Sequence, residues 1–253
     1  MTDSLLTLGR YLELLQRDSE LLALVLERSD LELPVPSCPD WTMADLGYHV
    51  GEVHRFWHWI IREKVEQVGP DSTPEVPRPP DAVLAAWLRA GIDDFLPLLR
   101  TADPHTPAWS WTPQQDVAFI QRRMPHETSV HRWDAQDADR VMTGTVPAPI
   151  AADLAADGVS EYFLLATAAR YDVDGRIALT ATDTGHHWLA WVQGGAMQHS
   201  LLEAEADAPV TLVGSASDLL LTLWRRNSLD SGAVEVRGDR DQAVQFLALA
   251  DLD

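Results

Sequence analysis

The sequence predicts an α+β protein: an N-terminal four-helix bundle, then a smaller C-terminal α/β domain, divided near residue 145 into 1–145 and 146–253. Two observations carry this. Up to Asp139, apolar residues recur at helical spacing in four long stretches separated by proline-bearing breaks. After Val141 the texture changes to short alternating or β-favouring segments punctuated by Gly and Asp.

Taken in order, 3–28 reads as a helix, with Leu5, Leu8, Leu12, Leu15, Leu22 and Leu26 at helical spacing. A proline-rich loop covers 34–40. Thr42-Met43-Ala44-Asp45 has the pattern of a capping box. The helix it opens is expected to reach Val68 and carries Phe56, Trp57 and Trp59 close together. A loop at 69–80 precedes a third helix at 81–100, and an irregular stretch with Trp109 and Trp111 precedes a fourth at 116–139. Pro125 falls inside that last helix, which must kink there or start late. Four long helices suggest a bundle, whose interior is a usual place for metal sites. Residues 144–149 read as a linker. Helices follow at 150–170, 215–226 and 239–249, and strands at 176–182, 187–193, 198–203, 209–213 and 233–237.

Bulk properties narrow the function classes. The hydrophobic fraction of 46% is ordinary for a folded protein. No apolar run approaches the roughly 20 residues that cross a bilayer, and Met1-Thr2-Asp3-Ser4 lacks the start of a signal peptide. The expectation is a soluble, cytoplasmic protein, a monomer by default. A net charge of −20 argues against nucleic acid and against anionic membrane as partners. Cys38 is the only cysteine, so no internal disulfide forms, and its place in a Pro36-Ser37-Cys38-Pro39 turn favours inert packing over a catalytic thiol.

The chemistry concentrates in His126-Glu127-Thr128-Ser129-Val130-His131-Arg132-Trp133-Asp134. His126 and His131 are five apart, about 140° around a helix, and do not share an ion easily. Glu127 and His131 are four apart, about 40° around, and face the same way. A carboxylate with an imidazole suits zinc or a neighbouring divalent ion. The second helix offers two ways to extend the set. His49 would complete it, or His54 and His58, which share a face, would form a pair of their own. Alone, Glu127 and His131 read more readily as a hydrogen-bonded surface pair.

Cys38-Pro39-Asp40-Trp41-Thr42-Met43-Ala44-Asp45-Leu46 through His49, together with Arg122-Arg123-Met124-Pro125-His126-Glu127 through Ala135, resembles the mycothiol-dependent maleylpyruvate isomerase family, within the wider DinB-like metal-binding bundles. Leu221-Thr222-Leu223-Trp224-Arg225-Arg226 and Val234 to Asp239 resemble that family's C-terminal signature. The resemblance implies metal ligands at His49, Glu127 and His131, with mycothiol as co-substrate. It implies a divalent cation, zinc first, although the ligand set also admits nickel, iron or cobalt. Three protein ligands leave a position open, and a cation there stabilises thiolate over thiol.

Supporting residues follow. Asp134, one turn beyond His131, and Asp45, one turn before His49, would each orient an imidazole. By the same resemblance Arg226 would clamp a carboxylate of substrate or thiol, although Arg225 beside it leaves open which of the two points inward, and Arg122 and Arg123 are similar candidates. Trp57, Trp59, Trp109, Trp111 and Trp133 read first as core and second as pocket wall. His105, His186, His187 and His199 have no ligand spacing. The expected function is an isomerase or transferase that activates a small thiol toward an electrophile. The alternatives are a hydrolase using hydroxide in the open position and a non-catalytic metal or thiol binder. The residues leave the electrophile unnamed.

Overall fold

The computed structural model describes residues 5–69, 72–166 and 175–249. The chain divides into two compact units, one spanning Leu6–Ala148 and the other running from Pro149 onward with Leu5. The first is helical and the second is built around a sheet, an α+β arrangement.

In the first unit Thr7 caps α1 (Leu8–Arg28), its hydroxyl accepting the Arg10 N–H, so the helix opens later than residue 3. Its apolar stripe is buried, including Leu12, Leu15, Leu22 and Leu26. The expected loop at 34–40 is instead a short antiparallel hairpin, β1 (Pro34–Val35) with β2 (Cys38–Thr42), turning at Pro36-Ser37. Thr42 then opens α2 (Met43–Arg62) through a complete capping box: its hydroxyl accepts the Asp45 N–H at 3.2 Å while Asp45 Oδ2 accepts the Thr42 N–H at 2.9 Å. The helix stops short of Val68 because Lys64 takes a left-handed φ of 53°. A 3₁₀ turn at Asp81–Val83 leads into α3 (Leu84–Thr101). Asp116 caps α4 (Val117–Thr143) by accepting the Phe119 N–H, and Gly144 ends it at φ 68°. Pro125 lies within α4, and the helix neither starts late nor stops there.

Helix α1 packs against α3 and α4, and α2 packs against α3 and α4. Leu22, Leu26, Met43, Leu46, Val50, Leu84, Leu88 and Ala135 meet in one apolar cluster under the hairpin, whose Val35 is fully buried. Each buried leucine contributes about 2 kcal/mol. Most of α4 is buried, polar residues included, so it carries the side chains that the bundle keeps from water.

In the second unit α5 (Ala152–Ala166) precedes a five-stranded sheet of order β5-β4-β3-β6-β7. The strands are β3 (Arg176–Ala181), β4 (His187–Gln193), β5 (Ala196–Leu202), β6 (Val210–Gly214) and β7 (Glu235–Gly238). Only β3 and β6 pair in parallel, with Leu179 opposite Leu212. Helix α5 packs on α6 (Ala216–Leu223) and β5, while α7 (Arg240–Leu249) packs on β3, β6 and β7. Trp188 is fully buried and donates its indole N–H to Ser160 Oγ at 2.9 Å, fixing β4 to α5. The expected extensions of α5 to residue 170 lie outside the described residues. Among the described residues no helix is long and apolar enough to cross a membrane.

The contact between α2 and α3 depends on Gly51. Trp87 lies where a Cβ on Gly51 would go. Arg55 caps the stack, 3.7 Å above the indole centroid, and donates to the Gly51 and Trp87 carbonyls at 2.9 and 2.8 Å. Gly51→Ala should therefore cost about 1–3 kcal/mol through overpacking. Urea unfolding checks this, and an unchanged midpoint would mean that α2 and α3 separate at little cost.

Candidate metal centre

The capping box fixes where α2 begins, and one turn past Asp45 it places His49. Helix α4 runs antiparallel beside it: His49 faces Glu127 and His131, His54 faces Thr128 at 2.8 Å, and Trp57 faces Phe119. Glu127 and His131, four apart, project from α4 to the same place, as the helical rotation requires.

Three ligand atoms converge there, all within 4.8 Å of one another. Glu127 Oε1 is 3.4 Å from His49 Nε2 and 3.2 Å from His131 Nε2. A tetrahedral zinc ion with nitrogen and oxygen ligands at 2.0–2.2 Å separates them by roughly 3.4 Å. The spacing and the donor chemistry both fit a divalent cation. The other Glu127 oxygen pairs with Arg123, one turn earlier on α4. On its far side His131 Nδ1 donates to Asp134 Oδ2 at 3.0 Å, which leaves Nε2 as the nitrogen that could face a cation.

Among the described residues one other trio could hold an ion: Cys38, His131 and Asp134. Its His131 nitrogen on that side is already committed to Asp134. This trio reads as support behind the ligand, so Cys38 is closer to the site than its turn context suggests. His54 and His58 join neither trio. His54 is fully buried on Thr128, and burial, with the charge of Arg55, lowers its pKa to about 3. His126 turns its buried ring toward Tyr11.

The other candidates divide. Asp134 touches the His131 imidazole. Asp45 is held by the cap and by Arg78, and its bonds to Thr42 and then to Arg78 lower its pKa to about 2. Arg122 is buried on α4. Arg226 belongs to the second unit, past the end of α6, where it donates to the Trp224 carbonyl at 3.0 Å. Arg225 takes a left-handed φ of 61° and its Nε points to the Leu247 carbonyl. Trp57, Trp59, Trp109 and Trp111 gather with Phe56 and Phe119, Trp57 in the core and Trp111 at 51% exposure. Trp133 is half-buried on α4. Sequence reasoning passed over Trp41 and Ser37. Trp41 lies 4.6 Å from the His49 ring and 6.0 Å from the His131 ring, centroid to centroid, and Ser37 donates to Asp134 Oδ1 at 2.7 Å. The only signal was their place in the segment before the capping box. A surface hollow of about 530 Å³ in the second unit, beside Arg176 and Trp191, gathers no comparable set of donors.

Residues 12–136 match the family model described as the mycothiol maleylpyruvate isomerase N-terminal domain. The chain is also similar to two solved structures along nearly its whole length. One is the mycothiol-dependent maleylpyruvate isomerase, at TM-score 0.60 and 13% identity, covering 94% of this chain and 96% of that one. The other is a histidine-to-alanine mutant of that isomerase, at TM-score 0.62 and 14% identity with the same coverage. At such identities the likeness is one of fold. A search of curated proteins finds no match.

The cation-free site has a pH signature. Burial would push the Glu127 carboxyl up, but the charge of Arg123 and the hydrogen bonds from His131 and His49 hold it well below its ordinary 4.5. Burial would push His131 down, but its bonds to Asp134 and Glu127 prevail and raise it from 6.5 to about 9. A raised imidazole pKa stabilises the fold fully below 6.5, and that contribution fades as pH rises to about 9. Its size is on the order of 3 kcal/mol. The Glu127 contribution runs the other way, present above 4.5 and lost as pH falls through the lowered value. The metal-stripped chain should therefore lose stability between pH 6.5 and about 9 in urea titrations. His131→Gln should flatten that slope, which separates it from the self-repulsion of a chain of net charge −20.

Proposed function

By residues 12–136 the chain belongs to the mycothiol maleylpyruvate isomerase family, and from that premise we propose that it is a metal- and thiol-dependent isomerase or transferase. The proposed ligands are His49, Glu127 and His131, holding one divalent cation, zinc by donor chemistry. The observation that carries the reading is the convergence of two imidazole nitrogens on one carboxylate oxygen, which lies at tetrahedral spacing from each of them. Three protein ligands leave room for one from solution. A cation bound there would supply the charge that favours thiolate over thiol near neutral pH, for mycothiol as the proposed co-substrate.

The chain's own residues would prepare the site. Arg123 holds one oxygen of Glu127 and turns the other toward the imidazoles. Asp134 holds the proton on His131 Nδ1 and keeps Nε2 available. Trp41 shields both imidazoles from water on its side. Arg226 of the proposed 146–253 domain and Arg123 of the proposed 1–145 metal-binding domain are each proposed to bind a carboxylate of thiol or substrate. With the thiol deprotonated, its sulfur would add to a cis carbon–carbon double bond conjugated to a carbonyl, the π electron pair passing to the carbonyl oxygen as an enolate that later expels the sulfur. The single bond that results turns freely, and elimination releases the thiol and the trans product. Displacement of a leaving group by the same sulfur would make the enzyme a transferase. The proposed setting is the cytoplasm.

Elemental mass spectrometry of the purified protein should find about one divalent metal per chain, with affinity at least about tenfold weaker in His49→Ala. X-ray absorption should then find a metal–sulfur distance appearing when mycothiol is added, and turnover of an electrophile should require the thiol. A metal that keeps only nitrogen and oxygen neighbours would favour the hydrolase. Saturable thiol binding without turnover would favour a binding protein. No metal after reconstitution would overturn the reading.

A further inference from the structure

We infer that Ser37 is a positioning residue of this site: through Asp134 it fixes the orientation and proton arrangement of His131. The inference rests on the metal-binding reading and extends it to a residue outside the ligand set. Asp134 is fully buried, and a buried carboxylate needs a donor on each oxygen. One oxygen, Oδ2, accepts His131 Nδ1–H at 3.0 Å, and the other, Oδ1, accepts the Ser37 hydroxyl at 2.7 Å. The two bonds define the rotation of the carboxylate about its χ2 axis. With Oδ1 held by Ser37, Oδ2 is aimed at the imidazole, and Nε2 is directed to Glu127 Oε1.

The hairpin gives Ser37 its precision. Ser37 sits in the two-residue turn between Val35 and Cys38, which pair across the strands. Val35 is fully buried in the bundle core below. Behind the hairpin, the Met43 and Ala44 N–H groups donate to the Leu33 and Leu31 carbonyls at 2.8 and 2.9 Å. A short side chain on an anchored turn places its oxygen with little freedom, where a longer side chain would lose entropy to do so. The relay Ser37, Asp134, His131 joins segments 97 positions apart, so it forms only between the finished hairpin and α4.

A competing role is purely structural, with Ser37 stitching the hairpin to α4. The two roles separate by measurement. Full-length wild type, Ser37→Ala and Ser37→Thr are stripped and titrated with Co²⁺ against a competing chelator, with the visible d–d bands recorded. The melting temperature of each metal-free chain is measured alongside. Positioning predicts that Ser37→Ala weakens Co²⁺ about tenfold, at the low end for loss of a group that orients a metal ligand, and changes the d–d bands. Ser37→Thr, which keeps the hydroxyl, should restore the affinity to within about threefold. Ser37→Ala with wild-type affinity and bands overturns the inference, even if its melting temperature falls. If Ser37→Ala does not fold, Ser37→Thr with the affinity lost in spite of a wild-type melting temperature also overturns it. A wild-type chain that binds no Co²⁺ overturns the metal reading itself and this role with it.

Discussion

The controlling constraint is the burial of charge along about three turns of α4. Arg123, Glu127, His131 and Asp134 are all largely out of water, and so is Arg132 beside them. Removing an ion from water costs several kcal/mol unless partners replace the lost hydration. The surroundings of α4 supply those partners from several elements. Helix α2 brings His49, the hairpin brings Ser37 and Trp41, and α1 brings the fully buried Asp18, 3.6 Å from Arg132 Nε. Arg132 also donates to Gln136 Oε1 and the Ala148 carbonyl. The bundle is consequently organised around a polar helix enclosed by amphipathic ones, and each partner is positioned by its own cap or turn.

That constraint explains what could be read from the residues. The long helices were legible because each of the outer three needs a single apolar stripe, and Leu12, Leu15, Leu22 and Leu26 mark one of them clearly. The start of α2 was legible because Thr42 and Asp45 satisfy each other locally. The pairing of Glu127 with His131 followed from rotation alone. The choice of His49 over His54 and His58 did not, because it depends on which α4 side chain each histidine of α2 meets: His49 meets Glu127, while His54 meets Thr128. Local rules say nothing about that. The hairpin was missed because Pro34-Val35-Pro36-Ser37-Cys38-Pro39 is too short and too proline-rich to display a strand period. Its contacts to α4 span the bundle. Pro125 was read as a kink or a late start, and α4 opens at Val117 and continues through it, packed against α1 and α2.

The second unit was legible for the opposite reason. Its strand β4 alternates, with the buried Trp188, Ala190 and Val192 spaced by two. What local pattern did not specify was the parallel pairing of β3 with β6, which brings distant segments side by side. The end of α6 also came earlier than residue 226. There the left-handed Arg225 turns the chain, and the Arg226 N–H returns to the Leu221 carbonyl at 2.7 Å. The two arginines therefore leave the helix in different directions.

The distance along the chain between His49 and Glu127 has a consequence for biosynthesis. The two residues are 78 positions apart, and α3 with its flanking loops lies between them. Closing so long a loop carries an entropic cost that must be met by packing before the donors can meet. During translation, a chain in which α4 has not yet emerged presents His49 without Glu127 or His131. A cation held by the proposed trio would therefore not template the early bundle; it would enter a framework already assembled and stabilise that framework by mass action.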